Sequence, residues 1–227
     1  MTTPLEIDVF WSFRSPWSYL ATPRLREWQA RYDLTVNFRP VYPLAIRTPE
    51  FFHNQHPQWL GYFLTDLMRC AEYLALPISW PEPDPVNQYV DDNGVRQTGE
   101  EQPYIHRLTR LGALAAEQGD GIAFADEVAR VIWGGTKNWH EGDHLAEAAA
   151  RAGFDLAALD RQVEAEADRL EAVIQENQAA HDAAGHWGVP TCAFRGEPFF
   201  GQDRLDVLLW RLRQAGVTER TPAGSAT

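Results

Sequence analysis

Ser15-Pro16-Trp17-Ser18 follows closely on the apolar-rich run Leu5–Trp11. If that run is a strand and a helix starts at Pro16, Ser15 stands at the helix N-terminus. Such a position offers N–H groups without intrahelical acceptors and a partial positive charge, both of which favour an anion. A free thiol ionises near pH 8.5, and this environment lowers that value toward neutrality. A hydroxyl there can donate a hydrogen bond to a bound thiolate, but it cannot cycle through a disulfide. The plain alternative is that Ser15 only caps the helix, with Pro16 in its first turn. The local residues favour the cap, and only motifs elsewhere in the chain turn the balance toward a site. Ser18, inside the first turn, is expected to be structural.

The elements that would hold this turn are readable. Leu5, Ile7 and Val9 alternate with Glu6 and Asp8, the mark of a strand with one buried face. Tyr19, Leu20, Leu25 and Trp28 supply an apolar helical face up to Arg31, and residues 34–39 give a second strand, so a βαβ unit is expected. Helical periodicity returns over residues 58–76. Pro77, Pro81, Pro83 and Pro85 then fall too close together for an element interior, and Asp91-Asp92-Asn93-Gly94 reads as an exposed irregular stretch. Helices are expected over 101–118, 122–133, 144–152 and 156–184, the last with a break near Asp160. Strand signals come back at 191–195 and 197–200, a hairpin around Gly196. Asp203 is expected to cap a final helix over 204–215.

Composition narrows the function. The chain has 227 residues, 44% of them apolar, and a formal net charge of -12, which argues against nucleic acid and anionic membrane surfaces as partners. The only cysteines, Cys70 and Cys192, lie far apart and suggest neither a disulfide scaffold nor a redox pair. Both are expected to be buried small hydrophobes. With no leader-like basic-then-apolar start, the expected compartment is the cytoplasm. Nine Trp and eleven Phe are a surplus that bears on function, because flat aromatic substrates need aromatic walls.

Three separated motifs then resemble one family. Strand plus Phe13-Arg14-Ser15-Pro16-Trp17-Ser18-Tyr19-Leu20 resembles the start of the DsbA-like thioredoxin superfamily, whose Cys-Pro-x-Cys pair is here Ser15 and Ser18. His186-Trp187-Gly188-Val189-Pro190-Thr191 resembles its Gly-Val-Pro-Thr turn with a cis-proline, and Phe199 to Leu205 its Phe-x-Gly-x-Asp-Arg-Leu segment. Serine at the first position is similar to the branch of 2-hydroxychromene-2-carboxylate isomerases and kappa-class glutathione transferases. The resemblance implies an α/β, thioredoxin-like βαβ…ββα domain with a large all-helical insertion. The divisions are 1–48 and 188–216 for the thioredoxin-like domain, 49–187 for the insertion and 217–227 for a disordered tail.

For function, the resemblance implies a glutathione-dependent isomerase of an unsaturated aromatic-derived acid, with the thiolate at Ser15. A kappa-like transferase or a non-catalytic binding protein are the alternatives. Val189-Pro190 would pair with the cysteinyl backbone of glutathione as an added strand does. Gln202 and Asp203 would meet its γ-glutamyl end, with Asn54 a further polar contact. Trp17, Trp139 and Phe51 are the expected walls for the substrate, with Phe52, Trp80 and Trp133 as further candidates; apart from Trp17, ordinary core packing accounts equally for most of these rings. The lysine that meets the glycyl carboxylate in the kappa-class pattern is replaced by Leu60. The expected partner is a small aromatic or unsaturated acid, and a homodimer stays open.

His140-Glu141-Gly142-Asp143-His144 fits the H-E-x-x-H zinc pattern. That chemistry needs both histidines one turn apart on a helix, whereas Gly142 and Asp143 disfavour a helix interior and Asp143 reads as the cap of the next one. No metal is expected. His181 and His186 flank a helix end, whose partial negative charge suits a protonated imidazole.

Overall fold

The computed structural model describes residues 4–52 and 55–220. Its main sheet has four strands in the order β2-β1-β5-β6, with β1 spanning Leu5–Trp11, β2 Leu34–Pro40, β5 Thr191–Phe194 and β6 Glu197–Phe200. β1 runs parallel to β2, with Leu5 opposite Leu34 and Trp11 opposite Pro40, and antiparallel to β5, with Val9 opposite Cys192. The chain's two ends therefore meet on β1. Ile7, Val9, Phe10 and Trp11 are all buried, so the strand is half-exposed at its start and enclosed on both faces at its end.

Helix α1 (Pro16–Arg31) crosses over between β1 and β2, starting at the expected residue because Ser15 and Pro16 set its N-terminus. The segment that follows β2 holds a short α2 (Leu44–Arg47), a 3₁₀ turn (Pro49–Phe52) and α3 (Trp59–Tyr73). Next come α4 (Ile105–Gln118), α5 (Gly121–Trp133), α6 (His144–Arg151), α7 (Leu156–Ala165) and α8 (Ala167–Ala183). α5 packs on α1, while α4 and α8 pack on β2. These contacts bring the insertion down on the loop before Ser15. Gly112 of α4 comes so close to Phe13 that an added Cβ would sit 3.0 Å from the ring, and Trp133 of α5 donates its indole N–H to the Phe13 carbonyl at 3.0 Å.

Four expectations need correction. The insertion is not all-helical: β3 (Gln88–Val90) and β4 (Arg96–Thr98) pair antiparallel around residues 91–95. There the Asp91 carboxylate accepts from the N–H groups of Asn93 and Val95, an Asx-type turn that closes a hairpin from polar residues. The helix expected over 156–184 is two helices, broken at Glu166 rather than Asp160. Asp203 does not cap the last helix. It lies inside a 3₁₀ turn (Gln202–Arg204), and α9 (Leu205–Gln214) starts after it. Nor is all of 217–227 a loose tail: the Asp33 N–H donates to the Thr218 carbonyl, the Arg220 N–H to that of Arg31, and Glu219 pairs with Arg31. Residues 221–227 lie outside the described residues.

His181, near the end of α8, is fully buried and stacks on Phe10 with ring centroids 4.8 Å apart. Its Nε2 donates to the Gly188 carbonyl at 2.9 Å. Burial pushes its pKa down from 6.5 to about 4, and burial also lowers that of His186. Both rings are thus held neutral, against the expectation of protonated caps. Because the unfolded chain takes up the proton first, this contribution is complete above pH 6.5 and is lost as pH falls toward 4. The loss amounts to about 3 kcal/mol, at ~1.4 kcal/mol for each tenfold change in proton affinity. Denaturant midpoints for wild type and His181→Gln should therefore differ most at neutral pH and converge toward pH 4. Parallel midpoints across that range would contradict the assignment.

Candidate functional site

Ser15 joins the two halves of the site. Its backbone is extended, and its Oγ accepts from the Ser18 N–H at 3.2 Å as a helix cap does. The same hydroxyl donates to the carbonyl of Val189 at 3.1 Å. The Val189–Pro190 bond is cis. One side chain therefore makes both the cap bond and the bond to the Val189 turn, so capping does not preclude a second role for the hydroxyl. Ser18 is buried: its carbonyl accepts from Thr22 and from the Trp11 indole, which makes it part of the helix interior.

The turn carrying Val189 is fixed from several sides. The Gly188 N–H donates to His186 Nδ1, its carbonyl accepts from His181 and Thr191, and the Gly201 N–H donates to the Pro190 carbonyl at 2.9 Å. A Cβ on Gly188 would lie 2.4 Å from the Phe200 ring, so glycine permits this approach. Four backbone N–H groups around the turn, those of Trp17, Val189, Gln202 and Asp203, donate to no acceptor among the described residues. They come from two helical N-termini and the cis turn, and together they suit an extended ligand with anionic ends.

Side chains are less uniform. Gln202 is buried, and its amide lies 3.6 Å from the Cys70 sulfur, while its carbonyl accepts from Arg24. Asp203 is exposed and paired with Arg204 at 2.8 Å, so its charge is already partly answered. Asn54 lies outside the described residues. Leu60 is exposed on α3 and brings no cation. Arg14, next to Ser15, is tied to Asp84 at 2.7 Å and stacks on Trp80 at 4.7 Å.

Aromatic rings form an arc that begins at Trp17. Trp17 meets Phe63 edge-on, Phe63 stacks on Trp59, and Trp59 meets Phe52. Phe52 meets Phe51, Phe51 meets Trp187, and His186 then stacks between Trp187 and Phe200. Since Trp17 adjoins Ser15 and Trp187 adjoins the Val189 turn, the arc leaves and returns to the same hydroxyl. Phe51 and Trp17 both lie on this arc. Trp139 does not: it is buried, donates its indole N–H to the Pro83 carbonyl and packs on Tyr104 and His140 in the core. The sequence missed Trp59, Phe63, Trp187 and Phe200 as wall residues, although the i, i+4 spacing of Trp59 and Phe63 was a usable signal.

A groove of about 480 Å³ along the free edge of β2, lined by residues such as Thr35, Asn37 and Asn177, contains none of these side chains. The H-E-x-x-H stretch also stands apart. His140 lies in a turn, Gly142 has φ +57°, and the helix begins only at His144, so the histidines do not share a helical face. Among the described residues, no cluster of three or more metal-ligating side chains occurs.

The profile of the DSBA-like thioredoxin domain matches residues 6–213. The chain belongs to the DsbA-like thioredoxin family. It is 23% identical over 209 residues to a 2-hydroxychromene-2-carboxylate isomerase of Pseudomonas putida, spanning 89% of this chain and 91% of the relative. A solved 2-hydroxychromene-2-carboxylate isomerase superposes with a TM-score of 0.69 at 21% identity, covering 93% of this chain and 96% of the other. The cytosolic disulfide reductase DsbM of Pseudomonas aeruginosa superposes at 0.54 with 19% identity, over 92% and 100% of the two chains.

Only Cys70 and Cys192 could supply a thiol for redox chemistry in this chain. Cys192 is buried in β5 and burial pushes its pKa up to about 12. Cys70 is half-buried, and burial with nearby Asp66 and Asp203 raises its pKa too. The native protein should therefore react slowly with one equivalent of a disulfide reagent, the second only after unfolding, and should not reduce insulin. Fast titration of both thiols would contradict this.

Proposed function

We propose that this chain is an isomerase of the 2-hydroxychromene-2-carboxylate type, acting on an unsaturated aromatic-derived acid with glutathione as cofactor. The observation that carries this is the Ser15 hydroxyl, held between a helix N-terminus and a cis-proline turn with no cysteine at either position of the ancestral pair. Similarity to isomerases over 89% and 93% of the chain supports it. That DsbM has been solved with GSH supports the choice of cofactor, as a property of that protein's fold.

Glutathione supplies, when bound, a thiolate able to add to a conjugated C=C bond and to leave it after rotation, with no net change in atoms or electrons. The residues of this chain do the rest. Ser15 turns its hydroxyl proton from the Val189 carbonyl to the sulfur, while its oxygen keeps the Ser18 N–H, so the helix cap survives the exchange. The Trp17 N–H and the positive end of α1 stabilise the negative charge there. Val189 offers a backbone N–H to an extended peptide, and Gln202 and Asp203 offer theirs to its γ-glutamyl carboxylate. Trp17 and Phe51 hold a flat substrate and exclude water. The cytoplasm, a thiol-rich compartment, suits this chemistry.

Replacing Ser15 with alanine removes one hydrogen bond to a charged sulfur but leaves the helix N–H groups. Turnover of 2-hydroxychromene-2-carboxylate with glutathione should fall roughly ten- to a hundred-fold, since such a bond contributes ~1.5–3 kcal/mol. Stability should drop by about 1 kcal/mol from the lost cap. Wild-type turnover that ignores glutathione, or a Ser15→Ala variant as active as wild type, would overturn the proposal.

A further inference from the structure

An open cavity of about 410 Å³ lies between the α2 region and α8, lined by Tyr42, Arg47, Thr48, Gln178, Asp182 and Trp187 among others. Among the described residues Arg47 is held there by backbone alone: its Nε donates to the Tyr42 carbonyl, and its Nη2 to the Trp187 carbonyl at 3.0 Å. Carbonyls orient the guanidinium but bring no counter-charge. Most arginines near the site have a carboxylate partner, as Arg14 has Asp84 and Arg204 has Asp203. Arg47 forms no ion pair among the described residues, and Asp182 acts on it only at longer range. Burial lowers its pKa, the sign of a cation short of solvent. A desolvated cation of this kind is stabilised by an anion placed on its planar fork.

The cavity also lies at a useful distance. Arg47 holds the carbonyl of Trp187, two residues before Val189, and Val189 holds Ser15. Two trans peptides span at most about 7 Å between Cα atoms. With a hydrogen bond of ~3 Å at each end, the hydroxyl and the guanidinium are no more than about 13 Å apart, a span within reach of an extended ligand of tripeptide size.

We infer that Arg47 is a carboxylate-binding residue, anchoring the acid end of a ligand whose other end lies at Ser15. The inference rests partly on the proposed function, because it takes Ser15 as the sulfur position. It also supplies a cation to a site where Leu60 offers none. Two carboxylates meet the description, the glycyl end of glutathione and the acid group of the substrate, and Trp187 stands ready as a flat wall for the latter.

Calorimetric titrations with glutathione, its glycyl monoethyl ester and benzoate separate these sources. In wild type labelled with nitrogen-15 in arginine, the Arg47 Nε–H resonance should move with at least one of the two acids. The acid concerned should bind roughly ten- to a hundred-fold more weakly to Arg47→Gln, with partial recovery in Arg47→Lys. If the glycyl carboxylate is the partner, the ester should bind wild type as weakly as glutathione binds Arg47→Gln. If benzoate depends on Arg47 and glutathione does not bind, the carboxylate site stands and the glutathione reading falls. Should neither acid move the resonance in wild type, or should a folded Arg47→Gln bind both acids as wild type does, the inference is wrong. The wild-type resonance decides the matter even if the variant does not fold.

Discussion

The structure depends on a hydroxyl that ties two segments 174 residues apart. Ser15 receives the Ser18 N–H at the start of α1 and gives its own proton to the carbonyl of Val189. Everything on one side of this contact is positioned by α1, and everything on the other by β5 and β6. Central strand β1 makes the meeting possible, since it pairs with β2 along its length and with β5 at residues 8–10. The insertion then locks the loop before Ser15 through Phe13, Gly112 and Trp133.

This arrangement explains how a redox fold can serve other chemistry. A cysteine at position 15 would be a nucleophile; a serine there is a donor with an exchangeable partner. Its bond to the Val189 carbonyl is a neutral one of the kind worth ~1 kcal/mol, whereas a bond to an anionic sulfur is about twice as strong. On the proposed reading the exchange would therefore be favourable. N–H groups on both sides of the hydroxyl that have no acceptor among the described residues, and rings running from Trp17 to Phe200, give the same spot polarity at its centre and a flat apolar border.

Much of this was legible in the sequence where local physics governs. β1 and α1 begin and end at the expected residues because alternation, an N-cap serine and Pro16 are local signals. The hairpin of β3 and β4 was hidden because its strands are short and polar, and its turn depends on one carboxylate. Trp139 was misplaced because aromatic content says nothing of direction: its indole N–H finds the Pro83 carbonyl and turns the ring into the core. Asp203 resembles a cap by type, but the 3₁₀ turn delays α9 past it. Arg47 was invisible for a different reason. Its surroundings come from Trp187, 140 positions away, and from the far helix α8.

Whether the Ser15 hydroxyl stabilises a thiolate or merely closes a helix is decided most directly at the bound sulfur. The measurement is the pH titration of bound glutathione by the ultraviolet absorbance of its thiolate, in wild type and Ser15→Ala. A hydroxyl donating to the sulfur predicts ionisation well below the ~8.5 of a free thiol in wild type, and a shift upward in the variant as the anion loses a donor. Superimposable titrations of the two bound forms would contradict it and leave Ser15 as a cap alone.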